Sequence, residues 1–411
     1  MSRRVVITGI GMITPVGNDT LTTWEALCAG RSGTGYISSF DASDQLVRIA
    51  AEVHDFDPSA YLDRKTIRRT DPVTHFAAAA TQQALVDAEF RITERLADSV
   101  GVVFGTGVGG MHTLSEQFRV LYDQGPERIS PMLVPRMMAN AAAGHISLMT
   151  GARGPCIATI SACATGANAI GEAAEIIRRG DAIAMLAGGA ERGITPIGIA
   201  AFAATHAVSQ RNDDPSHASR PFDAERDGLV IGEGAAVLVL EDAEHAEARG
   251  AHIYAELAGY AATADAYHIV EPAPEGAGLA RAIRRAIRKA GIDACEVHYI
   301  NAHGTSTQYN DRTETEAIKH VFGEHAYRLA VSSTKSMIGH TFGAAGAIEA
   351  AVTALSLAHG VLTPTINLTH PDPACDLDYV PNVARTAEVR VALSNSMGFG
   401  GHNAALIFRK V

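Results

Sequence analysis

Short β-branched apolar runs alternate along the chain with longer alanine-rich segments in which apolar residues recur at helical spacing. Runs of the first kind are typical of buried strands, and segments of the second kind predict helices. Because the two alternate, the pattern favours a parallel or mixed sheet covered by helices. The first run, VVITGIGMI, is too short for a signal peptide and predicts a β-strand. No stretch approaches the ~20 apolar residues of a membrane span, which predicts a soluble protein.

The two halves of the chain repeat one order of elements. In the first half, a helix-like segment at 77–90 leads to the strand SVGVVFGTG and then to ATISACATGANAIGEAA. In the second half, GLARAIRRAIRKAGID leads to VHYINAHGTST and then to LAVSSTKSMIGHTFGAAGAIEAA. An echo at such long spacing predicts a duplicated domain, with an N-terminal half at 1–250 and a C-terminal half at 251–411.

Two of these helices begin with almost no bulky side chains, in ATGANAIGEAA and FGAAGAIEAA. Alanine is also the best helix former, so composition alone is a weak signal of burial. Helices with such small residues can approach other backbone closely. We therefore expect both helices to be buried at the centre of the protein.

Length and charge narrow the class of protein. With 411 residues, 47% of them apolar and 39 of them glycine, the chain exceeds the size of a single core and suits a compact α/β protein. Its net charge of −11 argues against a nucleic-acid-binding surface, which would be basic.

The five cysteines are odd in number, widely scattered and contain no CxxC pair. This distribution argues against a disulfide framework and against a zinc site. Reduced thiols predict a cytoplasmic protein. The five are Cys28, Cys156, Cys163, Cys295 and Cys375.

Cys163 lies in ISACATGAN, between a predicted strand, CIATIS, and a predicted helix. The N-terminal end of a helix favours a thiolate, and a sharp turn among small residues exposes a nucleophile. A structural cysteine is the alternative reading, and we assign the other four cysteines to it.

Two of the 17 histidines stand in turns that directly follow predicted strands. His303 lies in YINAHGTST and His340 lies in KSMIGHTFG. Open α/β sheets place their ligands at such strand ends, so both are candidate partners of the cysteine. Spacing alone fits surface or core histidines equally well.

These segments belong to a longer ordered series that includes VVITGIGMITPVG, SACATGAN, RNDDPSHASRPFDAERDGLVIGEGAAVLVLE, NAHGTSTQYND, SSTKSMIGH, PTINL and NSMGFGGHN. Through this series the chain resembles, from end to end, the elongating β-ketoacyl-[acyl carrier protein] synthases of the synthase II type. The resemblance implies a thiolase-like fold with two similar mixed-sheet halves in alternating αβαβα layers, normally a homodimer. It implies no resident cofactor or metal, because the phosphopantetheine arm arrives on the acyl carrier protein.

The resemblance also implies the reaction, a decarboxylative Claisen condensation of an acyl thioester with malonyl carrier in fatty acid elongation. Cys163 would hold the acyl chain, while His303 and His340 would drive decarboxylation and stabilise the enolate. Lys335 would sit behind His340 in an ion pair with Glu349. The nucleophile thus falls in the N-terminal half and the histidines in the C-terminal half.

Further roles follow from the same resemblance. The backbone N–H groups of Cys163 and Phe399 would form an oxyanion hole, and Phe399 would gate the acyl pocket. Thr305 and Thr307 would hydrogen-bond the phosphopantetheine arm. The remaining expected substrate-binding positions are Gly398, Gly400 and Phe202.

Carrier proteins are acidic, so an acidic enzyme has to concentrate positive charge locally to bind one. The segment DRKTIRRTD supplies Lys65, Arg68 and Arg69, and GPERISP supplies Arg128. A solvated helix face is the alternative reading. Because family members use the same segment, we expect it to be the carrier-docking site.

Several positions depart from the usual synthase II pattern: His402 in place of threonine, His206 in place of arginine, Val270 in place of threonine and Glu127 in place of a basic residue. They leave the pathway open. The alternative is the catalytic subunit of a type II polyketide or polyene synthase, a heterodimer with a chain-length factor. Intact cysteine and histidines argue against a non-catalytic chain-length factor, and GFGGHN lacks the second cysteine of a degradative thiolase.

The resemblance leaves one further question open. An alkali cation near Asn301, Glu349 and Asn395 would fit the family, although nothing in the sequence requires it. Acyl length, saturation and branching are also left open, because pocket depth depends on a few side chains and on the partner.

Overall fold

A computed structural model describes residues 3–411 of the chain. Residues 1 and 2, which begin the predicted N-terminal half, lie outside the described residues. In the first half the strands are β1 (Val5–Ile13), β2 (Gly35–Tyr36), β3 (Ile49–Ala50), β4 (Val100–Gly105), β5 (Cys156–Ile157), β6 (Ala184–Glu191) and β7 (Gly234–Asp242). The helices there are α1 (Thr20–Cys28), α2 (Arg64–Arg69), α3 (Pro72–Asp87), α4 (Met111–Gln124), α5 (Leu133–Met137), α6 (Ala141–Thr150), α7 (Thr165–Arg179), α8 (Pro196–Ala203) and α9 (Ala243–Ala248).

The second half continues the same alternation of strands and helices. Its strands are β8 (Ala255–Ala264), β9 (Tyr299–Asn301), β10 (Ala330–Ser332), β11 (Val361–Leu362), β12 (Arg385–Thr386), β13 (Val391–Gly398) and β14 (His402–Arg409). Its helices are α10 (Ala277–Ala290), α11 (Gln308–Phe322), α12 (Lys335–Ile338) and α13 (Ala345–His359).

The main sheet shows the duplication directly. Its strand order is β10-β9-β13-β14-β8-β1-β7-β6-β4-β5, so each half contributes five adjacent strands. In each half the first strand pairs antiparallel with the last, and the three strands on the other side run parallel to one another. The two halves join where Val6 and Ile7 pair with Glu256 and Ala255. The repeated topology confirms the predicted duplicated α/β fold.

Three apolar clusters define the layers. One cluster packs α3 and α6 on main-sheet strands of the first half, and another packs α10 and α11 on those of the second half. The central cluster contains residues of α7 and α13 together with residues from both sets of strands. The order of layers is therefore helix, sheet, helix, sheet, helix, as the resemblance implies. The division at residue 250 into separate domains stays a prediction.

The two central helices touch at their N-terminal ends through glycine. A Cβ atom on Gly166 would lie 2.5 Å from the backbone N of Ala347, and one on Gly346 would lie 2.6 Å from the backbone N of Ala167. The contact is reciprocal because α7 and α13 are equivalent helices of the two halves. Both helices are largely buried. The prediction drawn from their small residues is confirmed, and this crossing places the loops that precede both helices side by side.

Two details differ from the predictions. The strand predicted over CIATIS is only two residues long, because the chain leaves the sheet at Ala158 and turns toward α7. In addition, within residues 3–411 the helical stretch Phe342–His359 has the length and hydropathy of a membrane span. It includes α13, and 89% of it is buried inside the protein between the two sets of strands.

Candidate active site

Cys163 occupies the loop immediately before α7, with its side chain buried. The residue before it, Ala162, has a φ of +50°, in the left-handed region that an alanine rarely adopts. Such strain persists only where the surroundings enforce it, and it is concentrated at functional sites. The sharp turn predicted for a nucleophile is therefore present.

The thiol of Cys163 lies beside the turn that contains Phe399. The backbone N–H of Phe399 donates a hydrogen bond to the sulfur, and a Cβ atom on Gly398 would lie 3.1 Å from the backbone N of Cys163. The Phe399 N–H thus points at the sulfur, and the backbone N of Cys163 lies beside the same turn, while the oxyanion hole stays a prediction.

Burial raises the pKa of the Cys163 thiol to about 12, although the charge of Lys335 and the Phe399 N–H act in the opposite direction. The expectation of a thiolate is therefore not met. Loss of solvation is the largest of these effects, and the sulfur is protonated at neutral pH. Any reaction in which this sulfur is the nucleophile has to remove the proton as the sulfur attacks.

The rings of His303 and His340 lie close together, with centroids 5.3 Å apart and planes at 86°. Burial and the charge of Lys335 hold the pKa of both rings well below the usual range, so both are neutral at pH 7. The Nδ1 atom of His340 accepts the backbone N–H of Phe342 at 3.3 Å. The Nδ1 atom of His303 lies 3.3 Å from the ammonium of Lys335, which can only donate.

These contacts assign the tautomers of both rings from the hydrogen-bond network. Each neutral ring accepts at Nδ1, so each has its proton on Nε2. Both His303 and His340 line the same cavity as Cys163. The site therefore holds two uncharged N–H donors beside the cysteine, which is a suitable arrangement for stabilising an anionic oxygen.

Lys335 is fully buried at the start of α12 and forms an ion pair with Glu349 of α13, as predicted. Its second neighbour corrects the prediction. The ring next to the ammonium is that of His303, not that of His340. His340 is instead held by the backbone of the turn that follows it. Lys335 thus fixes the tautomer of His303 and lowers the pKa of both rings by its charge.

Two buried glutamates, which sequence reasoning missed, hold the turns that present the histidines. Glu314 of α11 accepts the N–H groups of His303 and Gly304, both at 2.7 Å. Glu191 at the end of β6 accepts the N–H groups of Gly107 at 2.7 Å and Gly343 at 3.0 Å. No local motif marks either glutamate, because their partners are backbone groups on other elements.

The cavity that contains these side chains has a volume of about 380 Å³. Thr305, Thr307, Gly398 and Phe399 line it, and the hydroxyl oxygens of the two threonines are 3.0 Å apart. These positions agree with the predicted placements, while their roles stay predictions.

Two expected substrate-binding residues do not line the cavity. The N–H of Gly400 donates to the carbonyl of Ile269 at 2.7 Å, which turns this residue away from the site. The ring of Phe202 lies behind that of Phe342. Neither residue therefore faces the space in which a substrate would lie.

The mouth of the cavity contains three of the residues that depart from the usual pattern: His206, Val270 and His402. All three are exposed. Carboxylates of Asp227 and Glu271 share the mouth, and among the described residues that line the cavity there is no lysine or arginine.

The predicted docking residues are exposed but lie on two elements. Lys65, Arg68 and Arg69 are on the short helix α2, and Arg128 is in the turn that follows α4. Glu127, a departure from the usual pattern, is exposed beside Arg128. Docking by these residues stays a prediction.

Three buried oxygen atoms show whether the residues near the site fit the alkali cation suggested by the resemblance. Asn301 Oδ1, Glu349 Oε2 and Asn395 Oδ1 are buried and have no hydrogen-bond partner among the described residues. Carboxylate and amide oxygens of this kind fit a hard cation. These three residues would hold it, and it would supply positive charge to a buried carboxylate without entering the chemistry.

Comparisons with known proteins agree with this site. A family model described as the N-terminal domain of beta-ketoacyl synthase matches residues 2–246, and one described as the C-terminal domain matches residues 254–369. The chain is 54% identical over 408 residues to a Synechocystis protein named 3-oxoacyl-[acyl-carrier-protein] synthase 2, covering 99% of this chain and 98% of that one.

Solved structures give the same result. A beta-ketoacyl synthase from Burkholderia phymatum is 40% identical with a TM-score of 0.93, and the match covers 100% of both chains. A structure described as a type II PKS acyl-carrier protein in complex with its ketosynthase bound to the hexaketide, AntDE:AntF, is 35% identical with a TM-score of 0.92, again over 100% of both chains. With two family models that together span most of its length and with these full-length matches, the chain belongs to the β-ketoacyl synthase family.

Proposed function

We propose that this protein elongates fatty acids by joining an acyl chain held on Cys163 to a malonyl unit on acyl carrier protein, with loss of CO₂. The arrangement of one buried thiol and two neutral N–H donors in a single cavity is the observation that supports this reaction most directly. The relatives favour fatty acid synthesis over polyketide synthesis, because identity is 54% to the named synthase 2 and 35% to the polyketide ketosynthase.

The first step moves the acyl group from the carrier to the protein. The sulfur of Cys163 attacks the thioester carbonyl, and the carbonyl oxygen takes negative charge beside the N–H groups of Cys163 and Phe399. The new carbon–sulfur bond forms as the bond to the pantetheine sulfur breaks. The proton lost by Cys163 leaves with the pantetheine thiol, so the charge of the site does not change.

The second step uses the histidines. Malonyl carrier replaces the first carrier, and its carbon–carboxylate bond breaks to release CO₂ and leave an enolate. The Nε2–H groups of His303 and His340 stabilise the enolate oxygen, each contributing on the order of 3 kcal/mol. The enolate carbon then attacks the acyl carbonyl on Cys163, and the carbon–sulfur bond breaks as the β-ketoacyl carrier forms. The sulfur leaves as a thiolate and takes a proton from solvent, which restores the thiol.

We expect a Cys163→Gln variant to keep malonyl decarboxylation, because a neutral amide mimics the acylated cysteine while both imidazoles remain. Release of CO₂ from malonyl carrier is the measurement. Adding His303→Ala or His340→Ala to this variant is expected to slow release by about 10²-fold each. A folded Cys163→Gln variant without CO₂ release would contradict this division of labour.

The same assay gives a pH prediction. Because the pKa values of His303 and His340 are lowered, both rings stay neutral as the pH falls through the ordinary histidine value of about 6.5. We expect CO₂ release by Cys163→Gln to remain level from about pH 8 to about pH 6 and to decline only in more acidic solution. A loss centred on the ordinary histidine value would show that one ring titrates normally.

The basic side chains of α2 provide the proposed carrier-docking site. We expect reversing the charges of Lys65, Arg68 and Arg69 to glutamate to raise the KM for acyl carrier by about tenfold or more at low salt. Activity with a small pantetheine thioester should not change, because that substrate does not reach α2. Lys410→Glu, an exposed change of equal chemistry, is the control. Equal KM values for the wild type, the charge-reversed protein and the control would show that the carrier does not dock on α2.

We further propose a homodimer in the cytoplasm. Strand β5 lies at an open edge of the main sheet, and its residues are exposed. Helix α6 contacts this strand, α5 contacts α6, and α4 contacts α5. Large exposed apolar side chains on these helices, on β5 and on the loop before Cys163 are typical of an interface. All five cysteines are free, which suits a reducing compartment. The exposed apolar side chains of the proposed interface include Phe118, Tyr122, Val134, Leu148, Ile157 and Ile160.

A further inference from the structure

The ring of Phe342 forms part of the cavity wall next to the reacting groups. It lies 4.6 Å from the ring of His340, measured between centroids, and belongs to the same apolar cluster as Cys163. On its other side the ring of Phe202 stacks on it, with centroids 4.3 Å apart and planes at 17°. Phe342 lines the cavity and Phe202 does not. The ring of Phe342 therefore separates the cavity from Phe202 and the apolar residues behind it.

The backbone fixes this ring in place. Phe342 has a φ of +43°, a strained conformation for a bulky side chain. On one side, the N–H of Phe342 donates to His340, and on the other, the N–H of Gly343 donates to the buried carboxylate of Glu191. A Cβ atom on Gly343 would lie 2.3 Å from the backbone N of Gly107, so the turn has no room to shift in that direction. The strain persists because these contacts enforce it.

The surroundings of Cys163 also show where an acyl chain would extend. The mouth of the cavity is polar, while the cysteine belongs to a cluster of buried apolar residues that includes Ile199, Leu229 and Ile231. The phosphopantetheine arm has to occupy the polar part. An acyl chain on Cys163 therefore points to the apolar part, where it meets the ring of Phe342, which stacks on Phe202 behind it.

We propose that Phe342 is a specificity-determining residue whose ring, backed by Phe202, limits the length of the acyl chain that Cys163 accepts. The inference rests on the proposed function and goes beyond it, because it assigns the preferred substrates as short acyl chains. Longer chains have to separate the two stacked rings. A smaller side chain at position 342 removes that barrier.

The test is a competition between equal amounts of hexanoyl and dodecanoyl carrier for the purified protein, with the adducts on Cys163 read by intact mass. We expect the wild-type protein to prefer hexanoyl and Phe342→Leu to raise the ratio of dodecanoyl to hexanoyl adduct by about tenfold or more. Phe202→Leu should shift the ratio in the same direction but less, because the ring of Phe342 stays on the wall.

Phe56→Leu is the matched control, since this ring packs on Phe76 at 5.0 Å and lies outside the cavity. Thermal melting shows whether each variant is folded. If Phe342→Leu does not fold, the adduct ratio of Phe202→Leu tests the proposal instead. Adducts on the wild type together with an unchanged ratio in the folded variants would overturn the role of Phe342 alone. A wild-type protein that accepts neither chain would contradict the proposed function itself.

Discussion

Cys163→Ala is expected to abolish acyl loading and to lower condensation by about 10⁴-fold or more, the usual cost of removing a covalent nucleophile. Without the sulfur, no thioester forms on the protein, and the enolate has no acyl group to attack. The histidines and the oxyanion hole remain, so carrier binding is expected to continue. Intact mass after incubation with acyl carrier measures loading, and product analysis after adding malonyl carrier measures condensation.

An exposed cysteine provides the control for this result. A protein with Cys295→Ala should load and condense as the wild type does, because this side chain is exposed and does not line the cavity. Persistent acyl adducts on the Cys163→Ala protein would show that another residue is the acyl acceptor.

Lys335→Met is expected to lower the free energy of unfolding by about 3–5 kcal/mol, because it leaves the carboxylate of Glu349 buried without its partner. The ammonium and carboxylate are both buried and in direct contact. The same change removes the donor at Nδ1 of His303, so CO₂ release by the Cys163→Gln protein should also fall when the two changes are combined. Urea unfolding measures the first effect and the decarboxylation assay the second.

The pH dependence distinguishes this explanation from a general loss of packing. Burial already raises the pKa of Glu349 to about 7 with Lys335 present, and removing the ammonium raises it further. A raised pKa in the folded state contributes stability below the unfolded value of about 4.3, and that stability is lost as the pH rises through the folded value. Lys335→Met should therefore lose stability as the pH rises, and adding Glu349→Gln should remove that loss.

A surface pair of the same chemistry is the control. Lys289 lies 3.5 Å from Glu175, and its side chain is 50% exposed. Lys289→Met should change the free energy of unfolding by less than about 1 kcal/mol, since exposed ion pairs contribute little. If Lys335→Met lowered the free energy of unfolding equally little and independently of pH, the buried ion pair would not be what stabilises this part of the fold.

The duplicated fold could be predicted from the sequence because the order of elements repeats and because two helices begin with small residues. The reciprocal contact of Gly166 and Gly346 is the physical counterpart of that second signal. The position of Cys163 and the two histidines in turns after strands made them candidates, and the resemblance to the synthase family assigned their roles. Local patterns carry these features because each depends on neighbours in the sequence.

Other parts of the site depend on contacts between distant segments. Glu191 lies 152 residues from Gly343, whose N–H it accepts, and Phe202 and Phe342 stack across a similar separation. The same reason explains two of the corrected predictions. Lys335 is close to His340 in sequence but contacts His303, and burial, which sequence does not report, raises the pKa of Cys163.

Fatty acid elongation by this protein is tested most directly by intact mass spectrometry of the purified wild type. The protein is incubated first with saturated acyl carriers and then with malonyl carrier. We predict acyl adducts on Cys163, followed by β-ketoacyl products two carbons longer, formed by this protein alone. Adducts that appear only when a second subunit is supplied, or only with polyketide or polyene chains, would contradict the fatty acid elongation proposed for this protein.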